Sequence, residues 1–502
     1  MKNAELPYNQ SMSRSEKNKL IFALALVMFL AAIESTIVTL AIPTITRDLH
    51  GFDLINHIFS VYLLVCALAT PIHGKLSDLY GRKRVLMIGV ILFVLGCALC
   101  GFSQNMYMLI TFRAIQGIGA GAIFTVPMII VGDVFPLSER GKIQGVLSMV
   151  WGIAAILGPV IGGTLIGFLS WHWIFFINIP FGIVALIIIQ TSFNESFTRS
   201  KQRIDYPGIL VLSCAMVAFL SIFVFGGDQG IQLNIKNVLL FISSILLLIL
   251  FFFIERRAVE PILPFEVFTR SSIFVNVAAM LFSGVLIAVD IYLAIYLQNV
   301  KGFQPLIAGL LLLPMSVSWT LVSIPLGRLM LRFGGKSVHL VGILVALCAI
   351  ASFVVITQAS SVFFIIFAVF VMGIGFGIGL TTQTMIIQNS VKYDKRGAAM
   401  GVNSLLKTLG QAIAVSIFGA TFNASVIQGF SQEGIVDYDL SRLYDLSSYA
   451  PGVTWEQVVN ALSVAIHSIG VVLIGIMLLC TILAGVMPKP PLSQEEGRPG
   501  KG

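Results

Sequence analysis

Long apolar runs recur along this chain, each closed by a short polar stretch, and this recurrence limits the available folds more than any other feature. An apolar run of about 18 residues or more is long enough to cross the hydrocarbon core of a bilayer as a helix. Such runs fall at 20–42, 57–74, 85–101, 108–131, 143–169, 173–189, 208–225, 238–254, 273–297, 306–327, 338–356, 362–386, 398–422 and 462–487. Strand-like alternation of the outer-membrane barrel kind is absent, so the runs read as helices. Composition agrees: 57% of the 502 residues are hydrophobic and 11% charged, against roughly 25% charged in a soluble domain. There is too little charge to cover a water-facing surface, and the expected fold is an all-α membrane protein of about fourteen spans.

Residues 1–19 are polar and basic, and read as an N-terminal segment on the cytoplasmic side. The apolar stretch after them is too long for a signal-peptide core and lacks a small-residue cleavage pattern, so it reads as an uncleaved first span. With a cytoplasmic N-terminus, about 25 of the 31 Lys and Arg fall on the cytoplasmic side and about 4 (Arg47, Lys236, Lys301 and Arg442) outside. Both termini are then cytoplasmic. The net charge of +8 follows from this bias and is no sign of nucleic-acid binding. All six cysteines lie within the apolar runs, where they read as small buried hydrophobes instead of a disulfide framework. No metal-ligand set or cofactor motif is expected.

A repeat divides the chain. Gly74-Lys75-Leu76-Ser77-Asp78-Leu79-Tyr80-Gly81 returns in degraded form as Gly327-Arg328-Leu329-Met330-Leu331-Arg332-Phe333-Gly334, and Gly117, Gly119, Gly121 as Gly373, Gly375, Gly377. A duplication predicts two six-helix bundles at 20–190 and 273–487, with two additional transmembrane helices inserted at 205–254. The second bundle would carry a long acidic outer loop at 423–461, and a disordered cytoplasmic tail is expected at 488–502.

The first copy of the repeat, Gly74-x-x-x-Asp78-x-x-Gly81-Arg82-Lys83-Arg84, sits where the second span leaves the membrane. Its glycines permit a tight turn and close helix approach. Asp78 can face a helix N-terminus or a cation, and Arg82 can reach an acid on a neighbouring helix, with Asp133 at the end of the fourth span the evident partner. This set, Gly74, Asp78, Gly81, Arg82 and Asp133, is expected to act as a conformational latch.

With that motif the chain resembles the major facilitator superfamily, and within it the fourteen-span drug:proton antiporter family of multidrug efflux pumps. Four further stretches carry the resemblance: Glu34-Ser35-Thr36-Ile37-Val38-Thr39-Leu40-Ala41-Ile42-Pro43; Arg113-x-x-Gln116-Gly117-x-Gly119; Gly152-x5-Gly158-Pro159-x-x-Gly162-Gly163; and Trp171-His172-Trp173-Ile174-Phe175-Phe176-Ile177-Asn178-Ile179-Pro180-Phe181-Gly182. Glu34 stands where the family usually has Asp, which keeps the carboxylate, and His172 stands where it has Arg. The resemblance implies that Gly152, Gly158, Pro159, Gly162 and Gly163 form the antiporter helix motif, and that the first and fourth helices of each bundle line a central cavity.

Charges inside the membrane cost several kcal/mol each, so they normally have a partner or a role. Glu34, Arg113 and Asp290 lie at similar depth, roughly 9–12 Å below the outer ends of their spans. With Gln116 they form the expected cavity site, and Glu34 and Asp290 are the expected proton-coupling carboxylates. The resulting expectation is a monomeric, proton-driven exporter of amphipathic or cationic drugs in a bacterial cell membrane, without cofactor. A dedicated transporter of one metabolite, such as an amino acid or sugar, is the alternative. A membrane-embedded enzyme is remote, since no nucleophile elbow, metalloprotease motif or nucleotide loop is present.

Overall fold

The computed structural model describes residues 12–49, 54–195, 205–224, 234–258, 261, 263–435 and 454–488. The first six helices are α1 (Arg14–Leu49), α2 (Ile55–Tyr80), α3 (Arg82–Gly101), α4 (Met106–Val134), α5 (Leu137–Phe168) and α6 (Trp173–Ser192). Two follow, α7 (Tyr206–Val224) and α8 (Ile235–Glu255). The last six are α9 (Arg270–Val300), α10 (Pro305–Phe333), α11 (Gly335–Val355), α12 (Val362–Ser390), α13 (Arg396–Gln432) and α14 (Trp455–Val486). Among the described residues 13 helices are long and apolar enough to cross a membrane, and α7 contributes a shorter apolar stretch, Tyr206–Ile222. No strand forms among them.

Consecutive helices reverse direction. One face of the molecule, the basal face, therefore carries the start of α1, the start of α9 and the end of α14, where Ser271 Oγ donates to the Pro488 carbonyl.

The duplicated glycines explain how the helices pack. In α4, an added Cβ on Gly117 or Gly121 would strike Tyr62 or Ala69 of α2, and one on Gly119 would strike Phe93 of α3. In α12, Gly373 and Gly377 press on Met315 and Trp319 of α10, while Gly375 presses on Ala346 of α11. The same three-glycine pattern thus grips the preceding two helices in both groups. Gly81 and Gly334 form the one-residue corners α2–α3 and α10–α11, with φ of 94° and 82°, a region open at little cost only to glycine.

Apolar clusters fill each group of six, and a further one, with Ile129 and Leu137 against Leu326, Met385 and Met400, crosses between them near the basal face. Two seams join the groups there. Gly74 and Pro71 of α2 meet Gly397 and Gly401 of α13, while Gly141, Gly145 and Gly152 of α5 meet Ser323, Thr320 and Ser316 of α10. Towards the opposite face Gly163, Gly167, Gly309 and Gly419 of these helices meet nothing, and Gly429 of α13 packs on Ala461 of α14, within its own group. The α7–α8 pair lies beside the first seam, with Leu212, Met216 and Phe251 packed on Leu64, Leu405 and Leu409.

Two sequence expectations are corrected. The outer loop expected at 423–461 is shorter, because α13 runs to Gln432 and α14 begins at Trp455. Hydropathy marks where a chain leaves the membrane, whereas a helix of 37 residues, about 55 Å long, projects well past an apolar core of about 30 Å. The acidic Asp437, Asp439 and Asp445 fall outside the described residues, as does the tail from 489. Four cysteines are buried as expected, but Cys214 and Cys348 are exposed on the apolar surface.

The glycine packing yields a paired prediction. At Gly375 a side chain would sit 2.4 Å from the Ala346 nitrogen, whereas at Gly475 it would meet nothing. Gly375→Leu should cost about 1–3 kcal/mol by overpacking and lower the melting temperature of purified protein. Gly475→Leu should leave it unchanged.

Candidate functional site

Asp78, Arg82 and Asp133, expected from the sequence to act as a latch, come together at the basal end of the α2–α13 seam. Arg82 donates from Nε to Asp133 Oδ2 at 2.9 Å and from Nη2 to Asp78 Oδ1 at 2.7 Å. Its guanidinium also stacks on the Tyr393 ring at 4.4 Å. Asp78 in turn accepts the backbone N–H groups of Gly397 and Ala398, at 3.0 and 2.9 Å, so it caps the N-terminus of α13, where free N–H groups and the helix dipole favour an anion. Close approach of Gly74 to Gly397 makes this reach possible, because a side chain on either would strike the other's carbonyl.

Two members of the cluster are not apparent from motif reading. Arg396 donates to Asp133 Oδ1 at 2.5 Å and to the Gly132 and Gln388 carbonyls, so Asp133 is held by one arginine from each group of helices. Glu195, just after α6, accepts the N–H groups of Arg82 and Lys83 and caps α3. Beside the α5–α10 seam is a related contact, in which Arg140 of α5 donates to Asn389 of α12 at 2.5 Å. The signal lay in a second repeat: Arg140-Gly141-x-x-x-Gly145 returns as Arg396-Gly397-x-x-x-Gly401. The same sequence distance separates Gly117 from Gly373, Asp133 from Asn389 and Arg140 from Arg396. Beside the cluster, the hydrogen bond and charge of Lys395 hold the exposed Glu266 carboxyl below its ordinary range.

Deeper in the first group, Glu34 of α1 and Arg113 of α4 form an ion pair through Glu34 Oε1 and Arg113 Nη1, both side chains almost wholly buried. Arg113 Nη1 also donates to Gln116 Oε1 at 2.7 Å, its Nε to the Ile58 carbonyl at 3.3 Å, and its plane lies 4.2 Å over the Tyr62 ring. Gln116 Nε2 donates onward to Cys97 Sγ. The arginine is held from four sides, but the carboxylate is not: Glu34 Oε2 is buried and has no hydrogen-bond partner.

Asp290 does not join this pair. It is half-buried on α9, on a face shared with the half-buried Leu286, Ile287 and Ile291. Lys407 of α13 donates to Thr384 Oγ1 of α12 at 2.9 Å. Phe124 stacks on Trp151 with ring centres 5.9 Å apart. In α5, Gly152 presses on Ser316 of α10 and Gly158 on Thr36 of α1, whereas Gly163 is exposed and opposes nothing. Gly162 is buried, and Pro159 continues the helix. Among the described residues no cluster of His, Cys, Asp and Glu could hold a metal ion.

Comparison with known proteins decides the family. Residues 24–415 match the family model described as Major Facilitator Superfamily. The chain belongs to the major facilitator superfamily. Relatives of this transporter include multidrug resistance protein 3 of Bacillus subtilis (strain 168), 33% identical over 80% of this chain and 78% of the relative. The multidrug efflux pump SdrM of Staphylococcus aureus (strain N315) is 33% identical over 80% of this chain and 88% of its own. Among solved structures, the human organic anion transporter MFSD10 (TETRAN) superposes with a TM-score of 0.64, covering 94% of this chain and 100% of that one at 14% identity. That likeness speaks for the fold alone. The chain is a multi-pass membrane transporter with efflux-pump relatives, not an enzyme.

The cluster predicts the outcome of removing one charge. Breaking a buried ion pair costs about 3–5 kcal/mol. Asp78→Asn, which keeps the shape, should reduce transport turnover tenfold or more while substrate binding stays measurable. Normal turnover in that variant would leave the basic residues with a topogenic role only.

Proposed function

We propose that this protein is a proton-coupled exporter of amphipathic or cationic small molecules, working as a monomer by alternating access. In this reading it has fourteen spans in a bacterial cell membrane, counting α7, and its basal face with both termini is cytoplasmic. Two six-helix bundles, 20–190 and 273–487, rock against each other, with 205–254 an inserted helix pair. The multidrug resistance and multidrug efflux relatives support export of drugs, and the excess of Lys and Arg on the basal loops supports the orientation.

The observation that carries the coupling is the Glu34 carboxylate, buried in α1 with one oxygen on Arg113 and the other without a partner. A charged side chain at mid-membrane costs about 2.5–3.5 kcal/mol on insertion scales, and Arg113 offsets that cost while Glu34 is ionised. Oε2 is the open position for a proton. Protonation cancels the charge and loosens the pair, leaving Arg113 held by Gln116 and Tyr62. A proton and a cationic substrate therefore compete for the same carboxylate, and that competition links the two fluxes. Asp290, half-buried on α9, is the secondary carboxylate.

The basal cluster of Asp78, Arg82, Asp133 and Arg396 is the cytoplasmic latch in this reading. The conformation described is then sealed towards the cytoplasm, consistent with tight seams there and unopposed glycines near the other face. The Gly152 and Gly158 contacts of α5 give the smooth surface on which α10 and α1 shift during the change.

Inverted membrane vesicles test the coupling. Glu34→Gln keeps the size and loses the titration, so accumulation driven by a pH gradient should vanish while downhill exchange of neutral substrates persists. Glu34→Asp should retain part of the transport. Uphill accumulation in Glu34→Gln with unchanged pH dependence would move the coupling to another group.

A further inference from the structure

We infer that Lys407 is an anion-recognition point in the substrate path, so that the protein takes amphipathic molecules bearing a carboxylate, zwitterions included, as well as cations. This inference rests on the export reading and narrows its substrate class.

Position comes first. On α13, Asn403 and Gly410 face α9, where they meet Asn276 and Met280, while Gly397 and Gly401 face α2, where they meet Gly74 and Pro71. At 3.6 residues per turn, Lys407 falls between those two faces, on the side of α13 directed at the centre of the molecule. Its partner Thr384 lies two turns from Gly377, which faces Trp319 of α10, and one turn from Gln388, whose amide donates to the Met128 carbonyl of α4. The ammonium thus sits where α12 and α13 of the second group turn towards the first. Counting from the start of α13 at Arg396, it is about 16 Å from the basal end, near mid-membrane.

Charge balance comes second. Of the buried arginines, Arg82, Arg113 and Arg396 are each paired with a carboxylate, and Arg140 donates to the Asn389 side chain. None of the described ion pairs includes Lys407, and its one hydrogen bond is to a neutral hydroxyl. An ammonium at this depth, half-buried and supported by one threonine, retains most of its capacity for an anion. Asp290 lies about ten residues nearer the outer end on the adjacent α9, so an acid and a base stand about 15 Å apart along the path. A zwitterionic amphiphile of drug size can meet both in succession.

Rhodamine B carries a free carboxylate, and its methyl ester is a permanent cation of nearly the same shape. Their dissociation constants for the purified full chain are read by fluorescence anisotropy. Wild type should bind both. Lys407→Gln and Lys407→Met should weaken rhodamine B tenfold or more and change the ester less than twofold, and Lys407→Arg should keep both affinities. Ester binding reports that the variants are folded. Equal weakening of both dyes, an unchanged acid-to-ester ratio, or wild type that binds only the ester would overturn the assignment. Failure of the export reading looks different: the ester would bind wild type yet not accumulate in vesicles under a pH gradient.

Discussion

A charge withdrawn from water must be paired, and the central instance here is Asp133. One of its oxygens takes Arg82, from the helix next to it, and the other takes Arg396, from the opposite group of helices. Asp78 adds a second acid to the two arginines by bridging Arg82 to the first N–H groups of α13. In the low dielectric of the seam each member is tolerable only because the others are present. The contact of Gly74 with Gly397 belongs to the same constraint, since any larger side chain would separate Asp78 from the helix end it caps.

The two seams are built on one pattern but not with equal strength. Arg140 stands on α5 as Arg396 stands on α13, and each reaches across to the basal end of a helix in the other group. Where Arg396 finds an aspartate, Arg140 finds Asn389. Where Asp78 and Arg82 stand in the first copy, the second has Leu331 and Gly335. Both contacts are charge-assisted through the arginine, but only that of Arg396 brings two opposite charges together. The α2–α13 seam therefore has ionic closure, while the α5–α10 seam has glycine packing and the Thr320 hydroxyl donating to the Gly145 carbonyl, with the Arg140–Asn389 contact beside it.

Much of this was legible in the sequence, for physical reasons. Lipid forces every backbone group into helical hydrogen bonds, so apolar length alone located the helices. The glycine pairs revealed the repeat because close helix approach tolerates no side chain. The partners of Asp78 and Arg82 followed from the rule that buried charges are matched. Arg396 and Glu195 escaped notice because a basic or acidic residue at a membrane boundary looks like topogenic or solvated charge until the fold brings a second helix to it. Depth alone groups Asp290 with Glu34 and Arg113, yet depth does not specify angle. The ion pair closes within the first group, and Asp290 stands apart on α9. The end of α13 and the start of α14 are not legible for a related reason, as helices continue past the lipid boundary that hydropathy reports.

The most direct test of the charge cluster as the closure of the basal face is a distance across that face. Arg84, at the start of α3, and Arg332, near the end of α10, are both exposed and can carry spin labels in a chain whose native cysteines have been replaced. Double electron–electron resonance on this pair should give a dominant short-distance population with Asp133 intact. Asp133→Asn, which releases both Arg82 and Arg396, should shift the distribution to longer distances. An unchanged distribution in Asp133→Asn would contradict the cluster's role in holding the two groups together.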